Sequence, residues 1–112
     1  MTARLVIPVS SAPAIACDLG ALSPEQRARE QALLLEFRGM FREAQETEQG
    51  FSMAVPADPY LLSRLAEFLG LERLCCPFLT FHLSVPADRG AISLQIQGPP
   101  GAKAFLRSEF LA

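Results

Sequence analysis

Residues 58–85 read DPYLLSRLAEFLGLERLCCPFLTFHLSV, and the hydrophobic period changes partway through them. Up to Cys76 the apolar residues recur at helical spacing, with Leu61, Leu65, Phe68, Leu69, Cys75 and Cys76 on one side. Beyond Pro77 they alternate as in a strand: Leu79, Phe81, Leu83 and Val85 on one face, Phe78, Thr80, His82 and Ser84 on the other. Asp58 followed by Pro59 is a helix start, because an N-cap acid accepts free backbone N–H groups and proline needs none at the first helical position. Pro77 is the matching stop. A helix therefore runs straight into a strand, and both must bury their apolar sides against something.

Outward from this stretch the same signals repeat. Ile92, Leu94 and Ile96 form a second alternating strand, and Ala87–Asp88–Arg89–Gly90 reads as the hairpin turn before it. Toward the N-terminus, Gln49–Gly50 reads as an earlier hairpin turn, with Phe51, Met53 and Val55 alternating after it. Ser23–Pro24–Glu25–Gln26 is a capping box that opens a first helix, whose apolar stripe is Leu33, Phe37, Met40 and Phe41. Leu5, Ile7 and Val9 predict a short strand at the start. Phe105, Leu106 and Phe110 predict a last short helix after Pro99–Pro100–Gly101. The order (β)αββαββα describes a single α+β domain over residues 1–112. Its sheet is mostly antiparallel, with four to five strands and the helices packed on one face.

Composition supports a small core-forming domain. Half of the 112 residues are hydrophobic and eight are Phe. The formal net charge is -2, and no basic patch emerges, so nucleic acid has little electrostatic support as a partner. No apolar run approaches the roughly 18–20 residues a bilayer requires, so no membrane partner is expected. Leu5 to Ala16 has a faint leader-like look, but Pro8, Ser10, Ser11 and Pro13 interrupt it, and the chain reads as soluble and cytoplasmic. Its three cysteines, in a reducing compartment, then read as metal ligands, redox groups or buried apolar residues, not as a disulfide framework.

Glu72 breaks the pattern. It falls in the middle of the buried stripe of the second helix, where a carboxylate is costly unless hydrogen-bonded or paired. It stands three and four residues before Cys75 and Cys76, so all three can share one helical face. The two cysteines cannot readily pair with each other: neighbouring Cα atoms lie about 3.8 Å apart, whereas disulfides prefer about 4.4–6.8 Å. In a regular helix their side chains would diverge by about 100°. Pro77 disfavours helical geometry at Cys76, which lets the two sulfurs converge at the helix exit. Cys17, in the apolar Ile15–Ala16 segment, is the candidate third thiol. Three soft thiolates suit Hg(II), As(III), Cu(I) or, with a fourth ligand, Zn(II). The expected metal or metalloid ligands are Cys17, Cys75, Cys76 and Glu72, with His82 and Asp18 as accessory candidates. A helix C-terminus and a neighbouring carboxylate both raise thiol pKa values, which argues against a simple low-pKa nucleophile.

The run Leu71–Glu72–Arg73–Leu74–Cys75–Cys76–Pro77–Phe78–Leu79, preceded by Cys17–Asp18–Leu19 and an N-capped helix, resembles a family of small bacterial proteins. The likeness extends from Cys17 to the Phe105–Leu106 helix, and its specific part is the Glu-Arg-x-Cys-Cys-Pro-Phe core. That family carries no established activity. The resemblance implies a coherent fold and transfers no catalytic residue.

Three classes of function fit these residues. The first is thiol-based binding of a soft metal or metalloid ion, for sequestration or transfer. The second is a small cysteine-dependent enzyme acting on a thiophilic or electrophilic small molecule such as an organometal. The third is an interaction module whose cysteines only fill the core. The sheet face carrying His82, with Ser93, Gln95 and Gln97, is polar but uncharged, so either a second subunit, in a homodimer, or the N-terminal segment is expected to cover it.

Overall fold

Helix α1, Pro24–Arg42, begins where its capping box requires. The Ser23 hydroxyl accepts from the Gln26 N–H at 3.1 Å, and the Gln26 side chain accepts from the Ser23 N–H at 2.9 Å. A single turn of 3-10 helix, Leu19–Ala21, precedes it. The chain then forms a short hairpin of β1, Gln45–Glu46, and β2, Gly50–Val55. Helix α2, Pro59–Cys75, follows, its N-terminus held by the Asp58 carboxylate, which accepts from the Tyr60 N–H at 2.9 Å. Strands β3, Thr80–Ser84, and β4, Ile92–Gln97, make the second hairpin, and α3, Ala102–Glu109, closes the chain. This computed structural model describes residues 15–112. The strand expected at Leu5, Ile7 and Val9 lies outside the described residues.

All strand pairs are antiparallel, in the order β1-β2-β4-β3. The register sets Phe51, Ile96 and Phe81 in one row and Met53, Leu94 and Leu83 in the next, with Val55 opposite Ile92. These rows form the inner face, and they pack in one core with α1, α2 and α3. Because successive strand residues point to opposite faces, Ser52, Gln95 and His82 form a row on the outer side, and Ala54, Ser93 and Ser84 another. The fold is α+β, as its periodicities predicted. Among the described residues no helix is long and apolar enough to cross a membrane.

At the centre of the helix layer, Phe37 and Phe41 from α1 meet Phe68 from α2 and Phe110 from the end of α3, with ring centroids 5.3–6.4 Å apart. Burying each of these rings stabilises the fold by roughly 1.5–3 kcal/mol relative to leaving it exposed.

Three local readings are corrected. Gly50 belongs to β2 rather than to the turn: a Cβ there would sit 1.8 Å from the Ile96 carbonyl oxygen, so only glycine allows β4 to approach so closely. Phe78 does not share the outer face with His82. The Leu79 N–H bonds back to the Cys76 carbonyl at 3.1 Å, and this turn delays the strand until Thr80. Phe78 is therefore buried, edge-on to Phe105 at 5.0 Å. Val85 falls beyond the end of β3 and is exposed.

Candidate metal site

The site is built on the last turn of α2. Glu72, Cys75 and Cys76 are spaced i, i+3 and i+4, and the helix turns all three toward the interior, with 1%, 3% and 0% of their surfaces exposed. Cys76 is the residue after the helix. Its N–H still bonds to the Glu72 carbonyl at 2.7 Å, which holds it within the turn. Its ψ of 67° has already left helical geometry, as the following Pro77 demands. The departure brings the Cys75 and Cys76 sulfurs to 3.8 Å, a separation that a regular helix would not permit side by side.

The third thiol arrives through the backbone. Carbonyls in the last turn of a helix lack intrahelical partners, and the Cys75 carbonyl accepts from the Asp18 N–H at 2.6 Å. This single bond docks residues 17–18 against the end of α2 and sets Cys17 Sγ 3.2 Å from Cys76 Sγ. Asp18 thus contributes its main chain, and its side chain stays exposed. His82 stands apart from the cluster, exposed on the outer face of β3 opposite Gln95.

The Glu72 carboxyl straddles the thiol pair. Its Oε2 accepts from Cys75 at 3.6 Å and its Oε1 from Cys76 at 3.7 Å. No arginine or lysine among the described residues pairs with it. Its other neighbour is a second carboxyl, Glu30, which reaches across from α1 and shares a hydrogen bond with it. Burial is the largest influence on Glu72, and the hydrogen bond and negative charge of Glu30 add to it. Together they push its pKa from the ordinary 4.5 up to about 9, while the two thiol hydrogen bonds pull weakly the other way. Burial, followed by the Glu72 charge, pushes Cys75 up to about 12. Cys76 is pushed higher still by its burial, its bond to Cys17 and the same carboxyl. Cys17 is also raised, chiefly by burial. At neutral pH the site therefore holds its protons, which is how buried acids avoid unpaired charge.

Glu72, Cys75 and Cys76 form a buried group whose ligand atoms all lie within 4.8 Å of one another and which could hold a metal ion. A thiophilic cation arriving there would displace the protons and bring its own positive charge to the cluster. The cluster is not sealed. A cavity of about 590 Å³ opens onto Cys17, Cys75 and Glu30, walled by Leu22, Leu34 and Arg38.

Glu30 is the one cluster member that the sequence reading passed over. It precedes Leu33 by three positions and Phe37 by seven, so it extends the buried stripe of α1 by one turn. The pattern violation that singled out Glu72 was present there too.

Comparison with known protein families, with curated proteins and with solved structures finds no match for this chain. The chemistry of the cluster is therefore what supports a function.

Proposed function

We propose that this protein binds a soft metal or metalloid ion through Cys75, Cys76 and Cys17, with Glu72 completing the site, to sequester the ion or pass it on. One observation carries this reading: a buried carboxyl and two buried thiols meet a third, half-buried sulfur, and no arginine or lysine among the described residues pairs with the carboxyl. A carboxyl kept only to anchor the fold is expected to face an arginine or a backbone amide. Here it faces two thiols and another carboxyl. Soft sulfur donors select thiophilic ions over Mg(II) or Ca(II). Because the thiols hold their protons tightly, the ions favoured are those with the strongest bonds to sulfur, which places Hg(II), As(III) and Cu(I) ahead of Zn(II). Cys17 and Cys75 border the cavity while Cys76 lies behind them, so an ion meets the outer thiols first and is then drawn inward.

Native mass spectrometry of the reduced protein, with each ion added separately, tests the proposal. One retained ion is expected, lost in Cys75→Ser and Cys76→Ser and held more weakly in Cys17→Ser. A wild-type protein that retains none of the four ions overturns it.

A second copy of this chain is the proposed partner of the outer sheet face. The rows Ser52–Gln95–His82 and Ala54–Ser93–Ser84 carry no Asp, Glu, Lys or Arg, an uncommon composition for a sheet face left in water. Equilibrium sedimentation at high protein concentration is the check, and monomer alone would remove this part of the proposal.

A further inference from the structure

A bare ion needs ligands and little else, yet this cluster opens onto about 590 Å³ of space with leucine on its walls. The carboxyl also sets one oxygen against each of two sulfurs, which lets it exchange a proton with either thiol. Building on the soft-ion reading, we infer that the site cleaves the carbon–mercury bond of small organomercurial cations, with the Cys75 and Cys76 thiols taking the metal and Glu72 relaying a proton to the carbon.

The geometry assigns each part a task. R–Hg⁺ is thiophilic through its metal and apolar through R, so it needs a thiol beside an apolar recess. Cys17 and Cys75 border a cavity of mixed lining, in which Leu22, Ala32 and Leu34 offer R an apolar side and Arg27, Gln31 and Arg38 make a polar one. The Cys75 and Cys76 sulfurs, 3.8 Å apart, then converge on mercury, with Cys17 Sγ 3.2 Å from Cys76 to add a third donor. Each sulfur that binds adds electron density to mercury and, through it, to the attached carbon, which makes that carbon easier to protonate. Glu72 lies within hydrogen-bond reach of both thiols, so the group that accepts a thiol proton is also beside the carbon held at the metal.

The step balances without any oxidant or reductant. The carbon–mercury bond breaks, and its electron pair stays with carbon and forms a C–H bond. Glu72 hands one proton to that carbon and takes one from the incoming thiol, ending as it began. The other thiol proton goes to solvent. The net change is R–Hg⁺ plus two thiols giving R–H, a mercury(II) bis-thiolate and one proton, with mercury in the same oxidation state throughout.

The test is a single turnover with one equivalent of phenylmercuric acetate on reduced protein, following benzene by gas chromatography and the protein adduct by native mass spectrometry. The phenylmercury adduct is expected to give way to a mercury adduct as one equivalent of benzene appears, and in D₂O that benzene carries one deuterium. Glu72→Gln is expected to form the phenylmercury adduct and to release benzene roughly 10²–10⁴-fold more slowly, the usual contribution of a positioned proton donor. A wild-type adduct that stays intact, with benzene no faster than from glutathione at equal thiol concentration, overturns the cleavage. If that same protein still retains Hg(II), ion binding stands and only the cleavage falls. If it retains neither, both fall. Benzene release at the wild-type rate from Glu72→Gln overturns the role of Glu72.

Discussion

Helices α1 and α2 bury one continuous interface, and its two regions could hardly differ more. In the middle, Phe37, Phe41 and Phe68 meet edge-on and tilted, closed off by Phe110. Toward the start of α1 and the end of α2, the same faces carry Glu30, Glu72 and Cys75, with Cys76 just past the helix. The aromatic region gains stability from each buried surface and offers no chemistry. The polar region buries one carboxyl and two thiols, with Glu30 and Cys17 half-buried beside them, at the expense of stability, and holding protons or binding a cation relieves it. A small domain keeps such a region when its use outweighs its cost, and the aromatic region beside it supplies the margin.

This contrast predicts opposite responses to substitution. Phe68→Ala is expected to destabilise the fold most, by roughly 3–5 kcal/mol, since it opens a cavity where three aromatic neighbours converge. Glu72→Leu should leave stability unchanged or raise it by up to about 1–4 kcal/mol, because an apolar side chain of similar volume replaces a buried acid. It should also weaken retention of Hg(II). Chemical denaturation of both variants checks the pair. A Glu72→Leu protein destabilised as severely as Phe68→Ala would make the carboxyl a structural anchor and break the contrast.

A pH series sharpens it further. The folded state holds the Glu72 proton up to about pH 9, while the unfolded chain releases it near the ordinary 4.5. The folded protein thus binds more protons across this window, so the contribution of Glu72 is complete below about pH 4.5 and is lost progressively as pH rises toward 9. Denaturation midpoints of wild type should fall over that range relative to Glu72→Gln, which lacks the titrating group. Parallel profiles would mean that Glu72 is already ionised in the folded state. Ion binding has the opposite sign: thiol protons compete with the metal, so affinity rises with pH.

The smallest effect is expected on the outer rim of the same two helices. Arg29–Glu67 and Arg64–Glu36 bridge α1 and α2 in full view of solvent, at 2.8 and 2.6 Å. Replacing either acid with glutamine should leave the denaturation midpoint nearly unchanged, because exposed pairs are screened. Charge pairing at the rim is thus separable from the unpaired acids beneath it.

The elements were legible because their signals are local. Ser23 with Gln26 and Asp58 with Pro59 start helices through bonds that span only a few residues. Glu72 was legible for a related reason, since a charge within an apolar stripe is visible on any helical wheel. Glu30 carried the same signal more faintly, at the edge of its stripe, where an exposed acid is ordinary. Gly50 and Phe78 were misplaced because their positions depend on a partner strand and on a turn, and neither is written in their own neighbourhood.

By itself the sequence determined where α1 and α2 begin, the apolar faces of the helices and of β2 and β4, and that one acid and two thiols must be buried together, since periodicity and capping act over a few residues. Only the tertiary structure decided that β4 lies between β2 and β3, that Glu30 meets Glu72 and that Cys17 meets Cys76. These pairings join residues distant in the chain, and nothing in local propensity records which distant partner fills a given space. A main-chain bond from Asp18 to Cys75, made because a helix end leaves its carbonyls unpaired, is what turns two cysteines into three.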